Sequence, residues 1–178
     1  MGVVAAKPLG QLTGRVTDRG RDLALLALVA LIAVAGLVLV AVSVPQLFAA
    51  ADRDDRRVAV LAAARQQAVN FTTLDYRALD RDLDRVLSGS TGEFRKQFEA
   101  GTKDLTELVT KNRAVSEGEV LEAGIVTSDD DSARVLVVAD STVSNAGTEQ
   151  PDKRHYRIQM DLVREGNRWL VSDLEFVG

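Results

Sequence analysis

The chain has 178 residues, no cysteine and one histidine, with 46% apolar, 27% charged and 4% aromatic residues. The missing cysteines exclude a disulfide scaffold, a thiolate zinc site and a cysteine nucleophile, and a single histidine makes a His-based metal site or triad hard to build. A net charge of −4 argues against a general nucleic-acid binder, which needs a basic face.

The charge is unevenly distributed, at +2 over residues 1–22, zero over 23–44 and −6 over 45–178. The uncharged run, LALLALVALIAVAGLVLVAVSV from Leu23 to Val44, has Ser43 as its only polar side chain. As a helix it is ~33 Å long, enough for a hydrocarbon core of ~30 Å, and it lacks the polar face of a soluble helix. Residues 23–44 are therefore expected to span a membrane, with Pro45 breaking or bending the helix at its exit. A cleaved signal peptide is the competing reading, since Ala49–Ala51 offers a peptidase small residues. The run is too long for a signal h-region of ~7–15 residues, which favours a retained anchor. Basic residues precede the span (Lys7, Arg15, Arg19, Arg21) and follow it (Arg53, Arg56, Arg57), so the charge rule favours a cytoplasmic N-terminus only slightly. The expected organisation is a short cytoplasmic tail (1–22), a transmembrane helix (23–44), a juxtamembrane first helix (45–70) and the rest of an extracytoplasmic domain (71–178). The plasma membrane is the expected location.

From Ala51 to Asn70, Val58, Leu61, Ala64, Ala68 and Phe71 recur at helical steps. Asp52 and Arg56 are spaced for an i,i+4 pair. Arg56 and Arg57 are candidate contacts for lipid phosphate or a partner. A second helix is expected in LDYRALDRDLDRVL, with Tyr76, Leu79, Leu83, Val86 and Leu87 inward and Asp80, Asp82 and Asp84 on a solvated, arginine-laced face. Ser88–Gly92 breaks it, and Ser90 with Glu93 matches a capping box for a third helix. That helix directs Phe94, Phe98, Leu105, Leu108 and Val109 inward and ends near Asn112.

After Ala114 the period becomes two. Four strands are expected, with Leu121, Ala123 and Ile125, then Val135, Val137 and Ala139, then Tyr156, Ile158, Met160 and Leu162, then Leu170, Leu174 and Phe176 on their inner faces. Asp129–Asp131 forms a polar hairpin tip, lacking the spaced ligands of a calcium loop. His155, Asp140 and Asp161 fall on the outer face and read as solvated groups. Asn70–Thr72 matches a glycosylation acceptor in form only. Trp169 reads as ordinary packing, with a partner anchor as its functional alternative. No residues converge for catalysis, and no metal or cofactor is called for. Helices grouped before strands indicate an α+β domain, with about three helices packed on a curved four-stranded antiparallel sheet.

The stretch from Asn70 to Leu105, NFTTLDYRALDRDLDRVLSGSTGEFRKQFEAGTKDL, resembles the Mce-associated membrane proteins of actinobacteria. The likeness rests on Phe71, Thr72, Thr73, Asp75 and Tyr76, then the Leu79–Asp84 helix, then Thr91, Gly92, Glu93 and Phe94. The closing RWLVSDLEFV is similar as well, and the resemblance covers about residues 20–178. It implies a cone-shaped domain like that of nuclear transport factor 2, shared with assembly factors of type IV secretion. It also implies a non-enzymatic accessory protein that assembles or stabilises a lipid or sterol importer, with Mce subunits as partners, and it supplies no catalytic residues. The alternative is a tethered domain binding a lipid or small molecule, which could be an enzyme of the steroid-isomerase-like kind. Ser172, interrupting an apolar face, would be its clearest pocket hint.

Overall fold

The computed structural model describes residues 15–147 and 149–178; ahead of Asp52 the described side chains are those of Leu23, Leu26, Leu28, residues 31–39 and Ala41. The chain divides into two compact units, one ending at Asp52 and the other running Arg53–Gly178. The described elements are α1 (Arg15–Thr72), β1 (Leu74–Asp75), α2 (Leu79–Ser88), α3 (Gly92–Asn112), β2 (Val115–Ser128), β3 (Ser132–Ser144), β4 (Asp152–Glu165) and β5 (Arg168–Phe176).

In the first unit, α1 continues through Pro45, where a break or bend was expected. A proline removes one hydrogen bond, and the helix-favouring residues that follow, Ala49–Ala51, sustain the ladder. The expected span 23–44 falls only partly within the described side chains. Among described residues no helix is long and apolar enough to cross a membrane. Leu23, Leu31 and Leu37 of the run are described and are 67%, 69% and 73% exposed. The basic side chains of the tail lie outside the described residues.

The second unit is α+β. Its sheet is an antiparallel meander in the order β1-β2-β3-β4-β5. Five strands form where four were expected. The addition is β1, whose two residues are too few to carry a period. Leu74 and Asp75 were expected at the start of the second helix, which instead begins at Leu79. The Asp75 carboxylate takes the backbone N–H of Arg77 at 2.9 Å and turns the chain there.

The core lies between α1 and the inner sheet face. Val135 pairs with Met160, Val137 with Ile158 and Ala133 with Leu162, and all six are buried. From α1, Val60, Ala64 and Ala68 are fully buried at steps of four, and the two alanines let helix and sheet approach closely. Val58, expected inward, is 68% exposed. Six residues before Ala64 places it about 120° around the helix. Arg56 reaches Asp130 of the β2–β3 turn at 2.6 Å instead of forming the expected pair with Asp52.

Bulges correct the strand phases. An extra residue in β2 between Val120 and Glu122 turns Leu121 outward, at 51% exposed, while Val120 packs against the core. A second, in β5, falls at Ser172, and it lets Val171 and Leu174 both face inward opposite Leu162 and Met160. The α2–α3 loop covers part of the β5 edge, as Thr91 N–H donates to the Val171 carbonyl at 2.8 Å and Val171 N–H to that of Gly89 at 2.9 Å. The capping box does not form. Thr91 is the N-cap of α3, and the Ser90 hydroxyl bonds the Val86 carbonyl at 2.6 Å. Ser90 lies inside the fold, 2% exposed, where Gln67 claims it at 2.9 Å.

Two polar clusters fasten the helices to the sheet. The Ser116 hydroxyl donates to the Thr72 carbonyl at 2.5 Å and lies 2.7 Å from that of Ser141. Asp82, expected on the solvated face of α2, is 1% exposed. Its Oδ2 accepts the Asp75 N–H at 2.9 Å, and its Oδ1 meets Arg85 at 2.9 Å and Arg81 at 3.4 Å. Asp80 and Asp84 are exposed as expected.

Candidate ligand groove

A groove of about 530 Å³ opens in the second unit between the end of α1, α3 and the sheet. The period that turns Phe71, Phe98 and Phe176 inward concentrates aromatic rings at one place. Phe71 stands 6.1 Å from both Phe94 and Phe98 and 6.0 Å from Phe176, which lies 5.6 Å from Tyr156. These are tilted contacts at ordinary aromatic spacing. Leu108 of α3 and Phe176 of β5 also line the groove and are 59% and 56% exposed. Leu108 was expected inward; it faces the opening, where no side chain covers it completely.

The polar lining is contributed mainly by the end of α3 and the neighbouring strand ends, through Asn112, Ser116, Asn145 and Arg154. Arg154 is the one charged side chain among the described lining residues. Its Nε donates to Asp152 at 3.2 Å, and both side chains are more than half exposed. The Asp152 carboxylate, followed by Tyr156, raises the Arg154 pKa, so it stays cationic at any ordinary pH.

The residues singled out from sequence lie elsewhere. Trp169 is 8% exposed and belongs to the core, which is the packing reading. Arg56 and Arg57 line a separate cleft of about 440 Å³ beside the β2–β3 turn, where Arg56 pairs with Asp130. Asp129 of that turn accepts the N–H groups of Asp131 and Ser132, which hold its pKa below the ordinary value. His155 and Asp140, read separately, form a cross-strand pair at 2.7 Å on the outer face. Asp161 is held by Arg134 through bonds of 2.6 and 2.7 Å, which lower its pKa. The Ser172 hydroxyl donates to the Asp161 carbonyl at 3.1 Å and does not line the groove. Asn70 is buried, hydrogen-bonded to Gln66. Among the described residues no cluster of three His, Asp or Glu is placed to hold a metal ion.

Sequence reasoning found Phe71, Phe98 and Phe176 as inward residues but not the space between them. It passed over Arg154. The only signal for Arg154 was its place two residues before the inward Tyr156.

Residues 23–178 match the family profile described as "Uncharacterized protein Rv1363c/MT1408-like". The chain belongs to this Rv1363c/MT1408-like family. The Rv1363c protein of Mycobacterium tuberculosis (strain H37Rv), described as uncharacterized, is 35% identical over 128 residues. That alignment takes in 72% of this chain and 49% of Rv1363c, so the chain spans about half the length of this relative. Among solved structures, the periplasmic domain of DotI matches with a TM-score of 0.57 at 17% identity, over 67% of this chain and 94% of that one. The Agrobacterium tumefaciens VirB8 protein matches with a TM-score of 0.54 at 11% identity, over 67% and 90%. The Rv1363c/MT1408-like chain thus has a curled antiparallel sheet with helices, in a fold resembling VirB8 and nuclear-transport-factor-2-like domains. The correspondence is one of fold.

Proposed function

We propose that this protein is a single-pass, membrane-anchored accessory protein whose domain, outside the cytoplasm, holds together an envelope complex. One observation carries the reading: a domain with the fold of the DotI periplasmic domain follows a 22-residue uncharged run in the sequence. An anchor confines such a domain to a plane and raises its effective concentration near membrane partners. The partner in this proposal is an Mce-type lipid or sterol importer, and the segment order from Asn70 to Leu105 supports that choice. Its role is non-enzymatic. The groove fits binding better than turnover, because no carboxylate or histidine is among its described lining residues.

Purification of a tagged chain from native membranes, with identification of co-purifying subunits, tests this role. Mce subunits should co-purify, and deletion of the gene should lower their abundance and lipid uptake. Unchanged subunits and uptake refute the Mce role. Extraction by alkaline carbonate refutes the anchor.

A second reading, a tethered lipid-binding domain, is favoured by the groove itself. Its volume lies within the ~300–1,000 Å³ typical of small-ligand sites, with mostly apolar walls and a few polar groups. Both readings can hold in one molecule.

A further inference from the structure

We infer that the groove binds a single long-chain fatty acid, its chain among the aromatic rings and its carboxylate at Arg154. The inference rests on the lipid-binding reading and narrows it to one chemical class.

The size of the groove suits one chain. At the ~30 Å³ that a water molecule occupies in the liquid, 530 Å³ holds roughly 18 non-hydrogen atoms. A sixteen-carbon fatty acid fits this allowance, and a two-chain phospholipid far exceeds it. The wall suits a flexible chain. Phe71, Phe98, Phe176 and Tyr156 present ring surface, while Leu108 and Phe176 leave exposed apolar area for a ligand to cover.

Charge decides the head group. The part of the chain after Val44 carries a net −6, yet among the described lining residues of the groove there is no acidic side chain and there is Arg154. Asp152 engages the Nε of Arg154 at 3.2 Å in an exposed pair of the kind worth little, and Tyr156 is the other group acting on the guanidinium. A guanidinium has five donors in a planar fork, so a ligand carboxylate can be received bidentately. Asn112 and Asn145 are further polar groups in the same lining. A cationic amphiphile meets like charge there, and an uncharged alcohol lacks the ion pair.

The test uses the full chain in phosphatidylcholine nanodiscs, with diazirine-bearing palmitic acid and the matching diazirine hexadecanol as probes. After irradiation, labelled peptides are mapped by mass spectrometry. The acid should label Leu105–Asn112 and Leu174–Phe176 at least tenfold more than the alcohol does. Arg154→Glu should remove that preference and leave the Trp169 emission unchanged. Leu108→Asp, at an exposed position, should lower labelling by both probes. Equal groove labelling by acid and alcohol, or an acid preference that survives Arg154→Glu, overturns the carboxylate assignment and leaves lipid binding standing. Labelling confined to residues 23–44 with both probes overturns the inference and the lipid-binding reading together.

Discussion

Asp82 offers the sharpest test of how the domain is held together. It is a carboxylate with 2% of its side chain exposed, on a helix that sequence alone presents as charge-laced and solvated. Its substitution by alanine removes three interactions. The Asp75 N–H loses its acceptor, at a desolvation cost of ~1–3 kcal/mol. Arg85 and Arg81 lose their partner as well. Breaking a fully buried ion pair costs ~3–5 kcal/mol, but the Arg85 side chain is 40% exposed and can rehydrate. Asp82→Ala should therefore destabilise by about 2–3 kcal/mol. Asp82→Asn keeps an oxygen for the Asp75 N–H and loses only the charge, so about 1 kcal/mol is expected. Urea unfolding followed by the emission of buried Trp169 measures both, and amide exchange at Asp75 should accelerate in the alanine variant alone. Leu74 lines the groove beside Asp75, so Asp82→Ala should also weaken groove labelling. An alanine variant within 0.5 kcal/mol of wild type, or an asparagine variant as costly as alanine, would refute the reasoning.

Three further outcomes follow from the packing. Val60→Ser should cost more than about 2 kcal/mol through lost burial and a hydroxyl placed in the core, while Val58→Ser should stay within about 0.5 kcal/mol; urea midpoints separate them. Gly118→Ala should cost about 1–3 kcal/mol in urea unfolding, because its Cβ would lie 1.8 Å from Thr72 Oγ1 and 3.1 Å from the Thr72 carbonyl carbon, whereas Gly124→Ala meets open space and should lose nothing in the same assay. Asp75 should titrate at about 2, not at the ordinary 3.8, held down first by the Arg77 side chain and then by the Arg77 backbone N–H. A depressed folded pKa gives stability that is fully present above about 3.8 and lost as pH falls toward 2. Carboxyl carbon shifts should place the midpoint there, and Arg77→Ala should raise it only part-way, since the backbone bond survives.

The layers of the fold were legible because they follow from period. Val135, Val137, Ile158 and Met160 alternate cleanly, and the sheet buries them all. What failed was phase, wherever one residue intervenes. The β2 bulge moves Leu121 outward, and nothing in LEAGIV announces it. Asp82 failed for another reason. Its neighbours Asp80, Arg81, Asp84 and Arg85 carry charges typical of a wet face, and only the tertiary approach of β1 makes one of them a buried acceptor. Likewise β1 has no local signal, because it exists as the partner of Val115 and Ser116, forty residues on. The groove was invisible for the complementary reason: sequence pattern identifies side chains that turn inward, not whether they meet.

That last distinction bears on why the groove stays open. Apolar walls left to themselves close together, since contact removes area from water. Here the walls are held by polar bonds of fixed geometry. The Thr72 carbonyl receives the hydroxyls of Ser116, at 2.5 Å, and Ser141, at 3.3 Å, which pins the end of α1 to β2 and β3. Asp82 pins β1 to α2. Tyr76 N–H reaches the Ala114 carbonyl at 3.1 Å, and Ala146 N–H reaches that of Asn112 at 2.9 Å, tying the end of α3 to the strand ends. A site so braced does not spend binding energy on ordering itself. Loosening these braces, as Asp82→Ala does at one of them, should therefore reduce ligand capture even though no ligand-facing side chain has changed.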